Sequence, residues 1–292
     1  MSFITYLING ISLGSVYAII ALGYTMVYGI AKMLNFAHGD VIMIGSYTVF
    51  MTVSTLGLPT PVGIILSIIL CTCLGIVIEK IAYKPLRNAA SSLAVLITAI
   101  GVSYFLQNVA LLLFGANTKS FSSVVTIKAL TIGGVTITGE TIVTIITCII
   151  IMVALTMFVN KTKSGQAMLA VSQDKNAAQL MGINVNGTIS LTFAIGSGLA
   201  AIAGMLLCSS YPALTPYTGS MPGIKAFVAA VFGGIGSIPG AFIGGLILGV
   251  IEILSKAYIS SQLSDAIVFL VLILVLLIKP TGILGKQIKE KV

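Results

Sequence analysis

The sequence predicts an all-α, polytopic transmembrane helical bundle of about 8–9 helices, and three observations carry that prediction. First, 58% of the 292 residues are hydrophobic and only 8% are charged. Fifteen Lys/Arg and seven Asp/Glu stand where a soluble domain of this length carries roughly 70 charges. Second, charge-free runs reach the ~20 residues that a helix needs to cross hydrocarbon. Third, 31 glycines fall repeatedly at four-residue spacing inside those runs. This composition argues against a cytosolic globular enzyme, a disordered tail and a disulfide-rich secreted module. The net charge of +8 calls for no nucleic acid, because membrane proteins gather Lys and Arg in cytoplasmic loops.

The spans follow in order. The first, near Asn9–Ile30, lies in a charge-free run that begins at Met1. It lacks the basic start and short apolar core of a cleaved signal peptide and reads as a retained helix. Pro59 and Pro61 divide the next run into spans near Val41–Leu58 and Val62–Ile78. Further spans lie near Leu93–Phe114, Thr141–Val159 and Thr188–Ser210. A short apolar run, Ile224–Ile235, is interrupted by Lys225 and leads into spans near Ala241–Lys256 and Leu263–Ile278. One of these nine segments is too short to cross alone. The whole of 1–292 reads as a single transmembrane domain, with 160–187 as a loop within it.

Loop charge sets the orientation. Lys80, Lys84 and Arg87 fall in one loop, Lys161, Lys163 and Lys175 in a second, and Lys279, Lys286, Lys289 and Lys291 in the C-terminal tail. These should be cytoplasmic. With three spans before Lys80, the N-terminus lies outside. Glu79 and Lys80 mark a membrane boundary.

Small residues four apart lie on one helix face. Gly10 with Gly14, Gly240 with Gly244, Gly245 with Gly249, and Gly196, Ala200 and Gly204 all show this spacing. Such faces let helix backbones approach closely in lipid. The stretch from Gly233 through Gly234 and Gly236 to Gly240 is denser and cannot continue an ordinary helix. It reads either as a broken or re-entrant segment beside a pathway or as a tight turn at the membrane surface. Cys71, Cys73, Cys148 and Cys208 lie in apolar runs without zinc-ligand spacing and read as small packing residues.

Polar residues cluster at Lys32, Asn35, His38 and Asp40. His38 is the chain's single histidine and is not a metal ligand, since it has no partners at ligand spacing. It reads as a structural hydrogen-bonding group at a helix break or as a proton relay. Glu252 and Lys256 are four apart and can pair on one helix face. The segment 160–187 is the longest loop on the cytoplasmic side. Asp174 is a good N-cap and Gly182 a good residue to end the short helix between them. Ala177, Leu180 and Met181 fall on one face of it. That face needs covering, by the chain's own helix ends, by a partner or by lipid. No phosphate-binding loop and no nucleophile elbow occur. No catalytic residue is expected, and uphill transport on ATP would need an ATPase on another chain.

Four stretches share an order and spacing: Asn9–Ala18 with Ala21–Gly23, Asn35-Phe36-Ala37-His38-Gly39-Asp40, Ser172–Ala178 with Gly182-Ile183, and Gly233–Ala241. Together they resemble the permease subunits of bacterial branched-chain amino acid ABC importers, most nearly the H-type, over essentially the whole chain. The resemblance implies a multi-pass protein of the bacterial cytoplasmic membrane that moves leucine, isoleucine or valine inward. It implies as partners a second, M-type permease, two cytoplasmic ATPase subunits carrying ATP and Mg, and an extracytoplasmic amino-acid-binding protein. No cofactor and no nucleic acid are implied for this chain. It further implies that Asp174, Lys175, Ala177, Ala178, Leu180, Met181 and Gly182 form the segment that couples to an ATPase. Asn35, His38 and Gly39 become candidates to line or shape the pathway, with Gly233, Gly234 and Gly236 near it. Where the wider importer class carries Glu-Ala-Ala, this chain has Asn176-Ala177-Ala178. Permeases for urea, short amides or sugars share much of this pattern. A stand-alone secondary carrier is the alternative of another class, and the paired membrane acids that would favour it are missing.

Overall fold

The computed structural model describes residues 3–87, 92–132 and 135–285. Lys286, Lys289 and Lys291, assigned above to a cytoplasmic tail, lie outside the described residues. The chain forms α1 (Phe3–Ala31), α2 (His38–Phe50), α3 (Thr60–Ile78), α4 (Ser92–Phe114), α5 (Gly139–Lys161), α6 (Lys163–Gln173), α7 (Lys175–Leu180), α8 (Val185–Ser210), α9 (Ser220–Gly233), α10 (Ile238–Tyr258) and α11 (Ser264–Ile278). A π-helical turn extends α2 over Met51–Thr55, and another extends α3 over Glu79–Tyr83. Each of the nine apolar segments expected from the sequence is a helix. Among the described residues six helices are long and apolar enough to cross a membrane: α1, Thr60–Leu86, α4, α5, α8 and α10. The sequence reading missed α6, whose Gly165, Met168 and Val171 are buried against the bundle.

Helix ends follow local chemistry. Pro61 stands in the first turn of α3, where its missing N–H costs nothing. Thr138, Thr162, Asn184 and Ser237 cap α5, α6, α8 and α10, each accepting a backbone N–H three residues on. Two short antiparallel pairings finish the end opposite the basic loops. Lys119–Ser120 pairs with Ala213–Leu214, and Leu130–Ile132 pairs with Val135–Ile137.

The core is built around α1 and α8. α1 packs on α10, α8, α9 and α5, while α8 packs on α3 and α2. Glycines make these crossings close. A Cβ on Gly10 would lie 2.8 Å from Val250 Cα, one on Gly14 2.8 Å from Leu246 Cα, and one on Gly45 2.8 Å from Ala201 Cα. Gly245 and Gly249 meet Ala18 and Gly14 from the other side of the α1–α10 contact. The spacing read from the sequence therefore marks real helix contacts. Gly249→Leu is expected to destabilise by about 1–3 kcal/mol through forced overpacking, read as a lower melting temperature of the detergent-solubilised protein. An unchanged melting temperature would show that the α1–α10 contact can spread without loss.

Hydrogen bonds sort the loops by end. Lys175 Nζ donates to the carbonyl of Ala31 at 3.1 Å, which joins α7 to the C-terminus of α1. Arg87 bonds Glu79 and Asn186, which joins the ends of α3 and α8. Ile283 and Leu284 donate backbone N–H groups to Phe232 and Gly233, so the segment after α11 closes the C-terminus of α9. Lys80, Lys84, Arg87, Lys161, Lys163, Lys175 and Lys279 thus share one end of the bundle. Tyr6 meets Tyr258 edge-on at the other. Glu79 corrects the sequence reading in one respect. It is fully buried, and Ser190 Oγ donates to it at 2.5 Å, so it anchors helix ends inside the protein rather than marking a wet boundary.

Candidate functional site

Two helices begin inside the bundle. α9 has 14 residues, about 21 Å, and α2 with its π-helical turn runs from His38 to Thr55, about 27 Å at 1.5 Å per residue, against ~30 Å of hydrocarbon. α1 ends at Ala31, and Lys32 takes a left-handed conformation with φ 57°. A side chain there costs about 1–2 kcal/mol, and the kink turns the chain back into the bundle. It reaches mid-depth at His38, whose ring lies beside Gly23, eight residues inside the end of α1. α2 starts there and runs away from the basic end. α9 starts at the same depth and runs toward it. Their first turns touch: a Cβ on Gly39 would lie 2.6 Å from the Gly219 carbonyl oxygen, and one on Gly223 3.0 Å from Gly39 Cα. Only glycine-to-glycine contact lets two helix starts meet this closely.

Beside this junction lies a cavity of about 520 Å³ between α2, α4 and α9. Asp40, in the first turn of α2, is 2% exposed. Gln107 Nε2 on α4 donates to its Oδ1 at 2.9 Å and also lies 3.3 Å from Ser103 Oγ and 3.4 Å from Ser220 Oγ. Gln107 thereby ties α4 to the starts of both half-helices. Tyr24, Phe36, Ile100 and Ile224 supply apolar wall.

The residues expected at a pathway fall in three places. Gly39 lines the cavity. Asn35 accepts the Tyr83 hydroxyl at 2.9 Å and holds the re-entrant segment 32–37 to the end of α3. His38 is 1% exposed and lies edge-on to Tyr24 at 4.7 Å, and its Nε2 has no hydrogen-bond partner among the described residues. Gly233, Gly234 and Gly236 form the tight turn that joins α9 to α10 at the basic end. Gly234 and Gly236 have φ of 108° and 91°, which an L side chain resists. That turn makes α9 and α10 a helical hairpin whose first arm enters only half-way.

The loop 160–187 is more ordered than one short helix. Asp174 Oδ1 accepts the N–H groups of Asn176 and Ala177 at 2.8 and 3.0 Å, capping α7 as expected. Gly182 ends it at φ 82°, with Ile183 N–H returning to the Ala178 carbonyl. Ala178 is buried against the bundle, whereas Leu180 and Met181 are 88% and 83% exposed and Ala177 is exposed beside them. Lys175 faces inward to Ala31. Burial, with Arg87 and Lys32 nearby, holds its ammonium below the ordinary lysine range.

One constellation was only half legible in the sequence. Glu252 pairs with Lys256 at 2.6 Å as its spacing suggested, and it also takes Lys225 at 2.8 Å and the Tyr17 hydroxyl at 2.8 Å. Lys225 reaches Asp265 at 2.7 Å as well. The network ties α1, α9, α10 and α11 through side chains up to 235 positions apart. Lys225 appeared in the sequence only as an interruption of an apolar run. The signal available was its charge, since an ionisable group at membrane depth needs a partner.

A polytopic bundle whose two half-helices meet at mid-depth beside a polar cavity has the build of a membrane transport permease. The chain belongs to the family described as branched-chain amino acid transport system / permease component, which matches residues 6–276. It is 47% identical to the high-affinity branched-chain amino acid transport system permease protein LivH of Salmonella typhimurium, covering 99% of this chain and 98% of that one. It is 46% identical to the protein of the same name from Escherichia coli K12 and 43% identical to BraD of Pseudomonas aeruginosa, each over 99% and 98% of the two chains.

Proposed function

We propose that this chain is the membrane-spanning subunit of an importer for leucine, isoleucine and valine in the bacterial cytoplasmic membrane, driven by ATP hydrolysis on separate chains. The observation that carries the reading is full-length identity of 43–47% to permeases named for high-affinity branched-chain amino acid transport. The basic end of the bundle faces the cytoplasm, and the N-terminus faces out. Two ATPase subunits, carrying ATP and Mg, dock from the cytoplasm. The exposed Ala177, Leu180 and Met181 enter an apolar groove on one of them as a helix-in-groove contact. A second, M-type permease completes the membrane unit, and an extracytoplasmic binding protein delivers the amino acid. The chain itself performs no chemistry on its substrate.

In this scheme the half-helices do the gating. ATP-driven closure of the ATPase pair displaces α7, and the displacement passes through Lys175 to α1. α1 backs His38 through Gly23 and packs on α9, so the junction of α2 and α9 shifts with it. Asn35 and His38 hold the re-entrant segment rather than touch the substrate, and Gly39 lies at the passage. The test is to tag this chain, solubilise it gently and identify what copurifies. ATPase activity is then measured with the loaded binding protein. Two ATPase chains, a second permease and stimulation by leucine-loaded binding protein are expected. A chain that purifies alone and moves solute in liposomes without ATP would overturn the reading. Stimulation by urea or a short amide instead would overturn the substrate.

A further inference from the structure

Asp40 is a buried acid in a membrane bundle with no cation beside it. Glu79 has Arg87, and Glu252 has Lys225 and Lys256. Among the described residues Asp40 has only neutral partners, Ser103 and Gln107. A carboxylate kept at membrane depth without a counter-charge marks a functional site by default. A second observation points the same way. Tyr24 is 5% exposed and lines the cavity, yet its hydroxyl makes no hydrogen bond among the described residues. The N–H of Gly39, which lines the same cavity, likewise has no acceptor there. One wall therefore offers a carboxyl group held by neutral donors and without a counter-cation among the described residues. Another offers unused donors at the start of α2, where the helix dipole favours an anion. The remaining wall, Phe36, Ile100 and Ile224, is apolar.

We propose that this cavity is the permease's own binding site for the zwitterionic amino acid. The ammonium group pairs with Asp40. The carboxylate takes the Tyr24 hydroxyl and the Gly39 N–H at the meeting point of α2 and α9. The branched side chain lies against Phe36, Ile100 and Ile224. The volume of about 520 Å³ is within the roughly 300–1,000 Å³ of small-molecule sites. A uniform apolar passage would carry neither the unpaired acid nor the unused donors, and a cation site would have no use for the donors. The assignment rests on the transport reading above. It adds that selection occurs twice, once in the binding protein and again in the membrane.

The test uses the complete complex in proteoliposomes with leucine, ATP and the binding protein. Leucine taken up per ATP hydrolysed is compared for the unsubstituted complex, D40N, D40E and I224W, each checked for intact assembly by gel filtration. D40N is expected to lower uptake per ATP at least tenfold, with D40E recovering part of it. I224W, at a 41%-exposed position on the cavity rim, fills the apolar wall and is expected to cut leucine uptake at least tenfold while sparing alanine. Unchanged uptake per ATP in an intact D40N complex would overturn the site. If D40N does not assemble, I224W decides, and equal leucine uptake there overturns it. Failure of the unsubstituted complex to accumulate leucine would overturn the transport reading and this site with it.

Discussion

Replacing Leu180 and Met181 together by aspartate is expected to abolish ATP-driven uptake while leaving the membrane bundle folded. Both side chains project from α7 at 88% and 83% exposure, and surface changes of this kind alter stability by only about 0.5 kcal/mol. The face that holds α7 to the bundle is the opposite one, through Ala178 and Lys175. Docked in a groove, each apolar anchor contributes about 2 kcal/mol. Losing both weakens ATPase binding by roughly a thousandfold at 1.4 kcal/mol per decade. The measurement is the amount of ATPase subunit retained by the tagged permease, together with its melting temperature. Full retention with full uptake would remove α7 from the coupling role. Ala178→Asp provides the contrast: it buries a charge beneath α7 and should loosen the helix itself, lowering the melting temperature first.

Glu252→Leu is expected to be the most destabilising single change in the bundle, at about 3–5 kcal/mol. Glu252 is 1% exposed and holds two ammonium groups and the Tyr17 hydroxyl. Its removal turns a neutral set of two acids and two lysines into one of net charge +1 at a buried position. Asp265 remains on Lys225, but it is 42% exposed and reaches water, so it compensates only in part. Tyr17 also loses its acceptor, worth about 1–3 kcal/mol when the donor stays buried. Adding Lys225→Met should recover most of the loss, because the uncompensated cation goes with it. Thermal unfolding of the single and double variants in detergent measures both. If the double variant is as unstable as the single one, the cost arises from packing around Glu252 and not from stranded charge.

These cases show what a linear sequence carries and what it hides. Apolar runs bounded by charge and proline announced all nine membrane-depth helices, because a backbone in lipid must satisfy itself within a helix. Asp174 and Gly182 announced α7, because caps act over three or four residues. The break between α1 and α2 was blurred. The charge-free run begins at Val41, but the helix begins at His38, with Asp40 turned into the protein. Charge marks a boundary only when it faces water, and Asp40 and Glu79 do not. The partners of Glu252 were hidden except for Lys256, four residues on. Lys225 and Tyr17 reach it from other helices, a proximity that only the packed bundle creates. The meeting of α2 and α9 is of the same kind, since Gly39 and Gly219 are 180 positions apart.

The bond from Lys175 to the Ala31 carbonyl has a mechanical meaning. α1 is a rod of 29 residues, about 43 Å long at 1.5 Å per residue and stiff along its axis. It runs from that bond to Tyr6 at the far face, where Tyr6 rests against Tyr258. In the proposed coupling, a load applied to α7 reaches this strut through the Lys175 bond alongside the packing of Ala178 against the bundle. Removing the bond should then weaken how far a pull on one face of the membrane is felt at the other.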